Sequence, residues 1–97
     1  MSEPTPPITL THRLLRSEDV LFQNLDGEAV LLDLASETYF GLNEVGTRVW
    51  ELLESSPTLG EISTQLQAEY DVESARAESD VIDLATRLIE AGLASAA

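Results

Sequence analysis

The stretch Val20-Leu21-Phe22-Gln23-Asn24-Leu25-Asp26-Gly27-Glu28-Ala29-Val30-Leu31-Leu32-Asp33-Leu34 decides the fold. Two β-prone runs flank Asp26-Gly27, a dipeptide suited to the type I′ turn, which needs positive φ at both central positions. An antiparallel hairpin is therefore predicted over 20–25 and 28–34. Ala35-Ser36-Glu37 supplies a second turn, and Thr38-Tyr39-Phe40-Gly41-Leu42, short, aromatic and β-branched, reads as a third strand. The result is a β-meander with its third strand at an edge.

At Asn43 the apolar spacing changes from two to about 3.6, through Val45, Val49, Trp50, Leu52 and Leu53. Asn43 is the expected N-cap and Trp50 a core residue, with the helix ending before Ser55-Ser56-Pro57. Thr58-Leu59-Gly60-Glu61 has the form of a capping box, so a second helix runs through Ile62 and Leu66 towards Tyr70. After the polar connection Asp71 to Arg76, a last helix, capped by Ser74 or Ser79, carries Val81, Ile82, Leu84, Ala85, Leu88 and Ile89. Gly92 is its expected stop. Upstream, Met1 to Pro7 holds three prolines and hardly any apolar content, so it cannot repay the entropy of ordering. Residues 1–16 are expected to be mostly flexible and 17–97 to form the domain. The fold class is α+β: a three-stranded antiparallel meander followed by a three-helix bundle, the inventory of a winged helix-turn-helix.

Ninety-seven residues, 43% of them apolar, make one small domain with a thin core and little room for an enclosed catalytic cavity. Eighteen acidic residues against five basic ones, all arginine, leave a net charge of −13. That field repels phosphate backbones and anionic lipid, so neither nucleic acid nor a membrane surface is an expected partner. With no cysteine there is no disulfide, thiolate nucleophile or thiolate-bound metal. Neither a secretion signal nor a long apolar run is apparent, and a cytoplasmic location is expected.

Catalytic patterns are missing. His12 is the single histidine, beside Arg13 and with no carboxylate within four positions, which suits a surface residue better than a general base. The serines lack a Gly-x-Ser-x-Gly elbow. Asp80 with Asp83, and Glu51 with Glu54, are spaced for solvated helix faces, and no acidic metal loop, histidine cluster or phosphate-binding glycine loop occurs. No catalytic residue, metal or cofactor is expected.

Binding is better supported. The apolar stripe of the last helix spans roughly 160° of the helical wheel, wider than the ~100° that one core contact requires. Either the sheet and the first helix both cover it, or part of it faces a partner. The third strand offers a second clue, because an edge without Lys or Pro can accept an added strand. If Phe40 and Leu42 face the helices, Tyr39 faces outward, and an extended peptide could pair along Glu37 to Gly41 while placing alternate side chains against the last helix.

The order Asp33-Leu34, Tyr39-Phe40-Gly41-Leu42-Asn43, Gly46, Val49-Trp50-Glu51-Leu52-Leu53 resembles the PqqD family, the peptide-recognition domains of ribosomal peptide-modification pathways. The likeness continues through Ile62, Leu66, Tyr70-Asp71-Val72, Asp80-Val81 and Leu88-Ile89-Glu90-Ala91-Gly92-Leu93, and is strongest to the stand-alone leader-recognition proteins of split lasso-peptide systems. The resemblance implies a winged-helix-like domain that binds the leader of a precursor peptide as an extra strand between the third strand and the last helix. It implies delivery of that peptide to a cysteine protease that removes the leader, and then to an ATP-dependent cyclase. By position it assigns the peptide ladder to Glu37, Thr38, Tyr39, Phe40 and Gly41. It assigns the pocket to Leu34, Thr38, Phe40, Val81, Ile82, Ala85 and Leu88, with Asp83 and Arg87 as rim contacts. A PqqD-like partner of a radical SAM peptide-modifying enzyme is the alternative within this class. A winged-helix DNA regulator is opposed by Asp80, Asp83 and Glu90 around Arg87.

Overall fold

The computed structural model describes residues 8–55 and 57–96. Its elements in chain order are β1 (Leu14–Arg16), β2 (Val20–Leu25), β3 (Glu28–Asp33), β4 (Thr38–Leu42), α1 (Glu44–Leu52) with a 3-10 turn over Leu53–Ser55, α2 (Leu59–Tyr70), α3 (Ser74–Glu90) and β5 (Ala94–Ala96). The fold is α+β, and the predicted meander is the three-stranded sheet β2-β3-β4.

Local chemistry sets these elements. Asp26 and Gly27 have φ of 59° and 92°, the left-handed pair a type I′ turn requires, and Leu25 pairs with Glu28 across them. Between β3 and β4, the Asp33 carboxylate accepts from the Ala35 N–H and the Ser36 hydroxyl, and Glu37 turns the chain at φ 57°. Asn43 caps α1, its Oδ1 accepting from the Gly46 N–H at 2.8 Å. A Cβ on Gly46 would lie 3.2 Å from that oxygen and 3.3 Å from Leu42 Cδ2, so the close approach of cap and helix favours glycine. At α2 the capping box is complete: Thr58 Oγ1 accepts from the Glu61 N–H, and Glu61 Oε1 accepts from the Thr58 N–H. Ser74 begins α3 rather than capping it, and Ser79 lies within the helix; Glu73 holds the cap position without a side-chain bond. At the other end Gly92, at φ 76°, completes a Schellman stop, with Leu93 N–H donating to Leu88 O and Gly92 N–H to Ile89 O.

Two elements were not foreseen. β1 and β5 form a second, two-stranded antiparallel sheet, Leu14 opposite Ala96 and Arg16 opposite Ala94. The domain therefore begins before Ser17: Leu14 is 1% exposed within the core, and Ile8 and Leu10 pack against it. The carbonyls of His12 and Leu10 also accept from the N–H groups of Leu59 and Gly60, supplying two of the orphan amides of α2 with partners. A Cβ at Gly60 would sit 3.3 Å from that Leu10 oxygen. The expected mobile stretch Met1 to Pro7 lies outside the described residues.

One core joins these layers. Ala29 and Leu31 from β3 and Leu42 from β4 meet Trp50, Leu66 and Leu88 from the helices, all buried. Arg16 sits 5.5 Å from the ring centroid of Trp50, over an indole whose Nε1 has no hydrogen-bond partner among the described residues. Arg48 ties α1 to α2 through two bonds to the Glu69 carboxylate, at 2.8 and 2.9 Å.

Two glutamates carry a pH signature. Glu61, hydrogen-bonded by Thr58, and Glu69, hydrogen-bonded by Arg48 and then Gln65, both ionise below the ordinary glutamate value of about 4.3. Lowered native values mean that this stabilisation is complete above the ordinary value and is lost as pH falls through the native one. Glu61→Gln keeps the geometry of the box but does not titrate. Its thermal midpoint should therefore fall less between pH 6 and pH 3 than that of the parent protein; identical falls would remove Glu61 from the acid response.

Candidate functional site

The sheet order β2-β3-β4 leaves β4 at an edge, and among the described residues it pairs with β3 alone. The segment most able to cover it, residues 8–16, is engaged elsewhere, with β5 and the start of α2. Beside the edge an open groove of about 670 Å³ runs between β4 and α3. Its floor is Leu42, Val49, Leu66 and Val81, all buried. Its walls include Phe40, Val45 and Leu84, partly buried, and Val72 at the end.

Which backbone groups of β4 are free follows from antiparallel alternation. Leu25 and Glu28 flank a two-residue turn, and Leu34 N–H donates to Asp19 O, so Glu28, Val30, Leu32 and Leu34 direct their ladder groups towards β2. Ala29, Leu31 and Asp33 then face β4, through Leu42, Phe40 and Thr38. The N–H and C=O of Tyr39 and Gly41 point to the open edge. These two residues offer the ladder that an added strand can use, and Gly41 carries no side chain to obstruct it.

The rim is charged and balanced. Arg87 Nε lies 3.2 Å from Asp83 Oδ2, and Arg76 Nε 3.8 Å from Asp80 Oδ2, each pair one helical turn apart and well solvated. Pairs of this kind contribute little to stability. They set polarity along the groove rather than hold the helix.

Of the residues singled out from sequence, Phe40, Gly41, Val81, Asp83 and Arg87 line the groove together. Glu37 occupies the turn before β4, in left-handed conformation, and the strand starts at Thr38. Thr38 is exposed, its hydroxyl bonded to that of Ser36, and Tyr39 projects outward, 71% exposed. Leu34 does not reach the groove: it follows β3 and is 51% exposed. Nor do Ile82, Ala85 and Leu88 line it. Ala85 and Leu88 are 1% and 0% exposed, turned into the core with Val81, and Ile82 is partly buried on the helix's other flank. Leu84, Val45 and Val72 contribute apolar lining that was not assigned to the site. The signal for Leu84 was its spacing from Asp80 and Arg87, which puts it on their side of the helix.

His12 closes a turn, Nδ1 within 2.9 Å of the Thr9 N–H that donates to it. Among the described residues there is no group of three or more metal-ligating side chains, and no helix is long and apolar enough to cross a membrane.

Comparison with known proteins gives a family and similar solved structures. Residues 28–94 match the family described as "Coenzyme PQQ synthesis protein D (PqqD)". Among solved structures, one described as "TbiB1 in Complex with the TbiA(beta) Leader Peptide" is 39% identical, with a TM-score of 0.77 over 82% of this chain and 93% of that one. Another, "Lasso peptide synthetase B1 complexed with the leader peptide", is 29% identical, with a TM-score of 0.77 over 84% of this chain and 96% of that one. No curated protein sequence matches.

Proposed function

Because the chain belongs to the PqqD family, we propose that it binds the leader of a ribosomally made precursor peptide, of the lasso class, as an extra strand on β4 and against α3. The observation that carries this reading is the open edge of β4 beside an apolar groove, on a fold similar to proteins solved with leader peptides. The chain itself makes and breaks no bonds. It holds the leader extended and hands the precursor to a leader peptidase, a cysteine protease, and then to an ATP-dependent cyclase, in the cytoplasm.

Binding proceeds in two parts. The N–H and C=O groups of Tyr39 and Gly41 fix the register of the guest strand, each bond contributing about 0.5–1.5 kcal/mol net. Guest side chains that drop between Phe40 and Leu84 contribute about 1.5–3 kcal/mol each. Together with the ladder bonds, two or three such anchors outweigh the 2–5 kcal/mol or so needed to order a disordered leader, and affinity in the micromolar to nanomolar range is expected. Asp83 and Arg87 at the rim tune which leaders fit.

Calorimetric titration of the precursor leader into the protein should give saturable one-to-one binding in that range. No saturation below about 100 μM would overturn the reading.

A further inference from the structure

Antiparallel sheets ordinarily bury one face and keep the other polar. Here the second face is largely apolar too, with Gln23 between Leu21 and Leu25. Ala29, Leu31 and Asp33 are buried on the inner side, so Val30, Leu32 and Leu34 point outward, and the register sets Leu21 of β2 and Tyr39 of β4 on either side of Leu32. Leu21 is 55% exposed and Leu25, on the same side, 54%. Single exposed leucines are ordinary, but a contiguous set across three strands marks an interaction surface.

The border of this face has one sign. No Lys or Arg occurs between Arg16 and Arg48, whereas Glu18, Asp19, Asp26, Glu28 and Glu37 stand at the strand ends and turns. An apolar centre with an acidic border complements an apolar surface bordered by Arg or Lys. Tyr39 joins this face to the groove, since its backbone faces the open edge while its side chain lies outside. A strand added to β4 continues the sheet, and period-two geometry sets alternate side chains of the guest onto the same outer face.

We propose that the outer face of β2-β3-β4, extended by the bound leader strand, is the docking surface for a folded protein with an apolar contact surface bordered by arginine or lysine, namely the enzyme that acts on that peptide. The proposal rests on the leader-binding reading. The loaded protein presents more of the surface than the empty one, so the partner distinguishes the two and binds the loaded form tighter.

The test pairs Leu21→Ser/Leu25→Ser with the pathway's leader peptidase. Both residues are exposed and away from the groove, so the variant should bind leader within about twofold of the parent protein. With leader saturating, peptidase cleavage supported by the variant should fall by about tenfold or more. Added salt should weaken the capture of peptidase by the parent loaded protein, by screening the acidic border. Normal cleavage with the double variant, at normal leader affinity, overturns the docking surface and leaves leader binding intact. If instead the parent protein dimerises through this face and the variant does not, the occupant is a second copy and the proposal fails. A parent protein that binds no leader removes both readings, and the first titration reveals it before the peptidase is added.

Discussion

Tyr39→Pro should weaken leader binding by roughly 30- to 150-fold while the domain stays folded. The Tyr39 N–H points away from β3, so proline there removes no bond of the β3-β4 ladder, and proline is tolerated in edge strands for that reason. The side chain lost is 71% exposed and supports nothing in the core. What disappears is a donor to the guest strand, and the pyrrolidine ring stands where that strand would approach. About 2–3 kcal/mol is the expected penalty, from one ladder bond lost and its partner carbonyl left without a donor. Tyr39→Ala keeps the N–H and should bind leader near the parent level, which separates the backbone from the ring. Phe40→Pro should do the opposite of Tyr39→Pro and destabilise the fold, because the Phe40 N–H faces Leu31. Parent-like leader affinity in a folded Tyr39→Pro variant would mean that the peptide does not add to this edge.

The second large effect is expected at the helical wall. Leu84→Asp places a carboxylate in the groove beside Asp80 and Asp83, and leader affinity should drop by roughly 30- to 1000-fold. Leu84 is partly exposed, so the domain should survive the change. Val81→Asp is a poorer probe, although Val81 also lines the groove. It is 1% exposed, and a charge there is buried in the core as well, so loss of binding would follow from unfolding. Reversing the rim charge by Asp83→Arg should alter affinity by only a few-fold, since that carboxylate and its Arg87 partner are solvated. Equal affinity in Leu84→Asp and the parent protein would put the guest outside the groove.

The contrast between Leu84 and Val81 shows what could be read from sequence. The 3.6-residue period identified α3 and the width of its apolar stripe, but not which half of the stripe each neighbouring layer covers. Val81, Ala85 and Leu88 turn into the core, where α2 and β5 are the main neighbours of α3, while Leu84 is left on the side of Arg76, Asp80 and Arg87. The strands were more legible. Asp26-Gly27 admits one tight turn, and β4 followed as an edge because it ends the meander, the period changing to a helix's at Asn43. Asn43, Thr58 and Glu61 fixed helix starts through side-chain bonds that need no tertiary context, and Gly92 fixed a stop by its φ. The clasp of β1 with β5 had no such local signature. Leu14-Leu15-Arg16 and Ala94-Ser95-Ala96 are three residues each, too short to show alternation, and are joined only after the whole chain has folded between them. The outer sheet face escaped the period-two rule because Leu31-Leu32 is apolar on both sides, and alternation alone does not say which side meets water.

Placing Arg16 over Trp50 turns the single tryptophan into an optical gauge of chain closure. Its indole is 2% exposed beneath a residue of the terminal ribbon. Peeling that ribbon away should wet the ring and redden its emission, whereas a peptide in the groove, whose lining does not include Trp50, should leave the colour unchanged. One fluorophore, already in the chain, thus distinguishes an opening of the ends from the arrival of a guest.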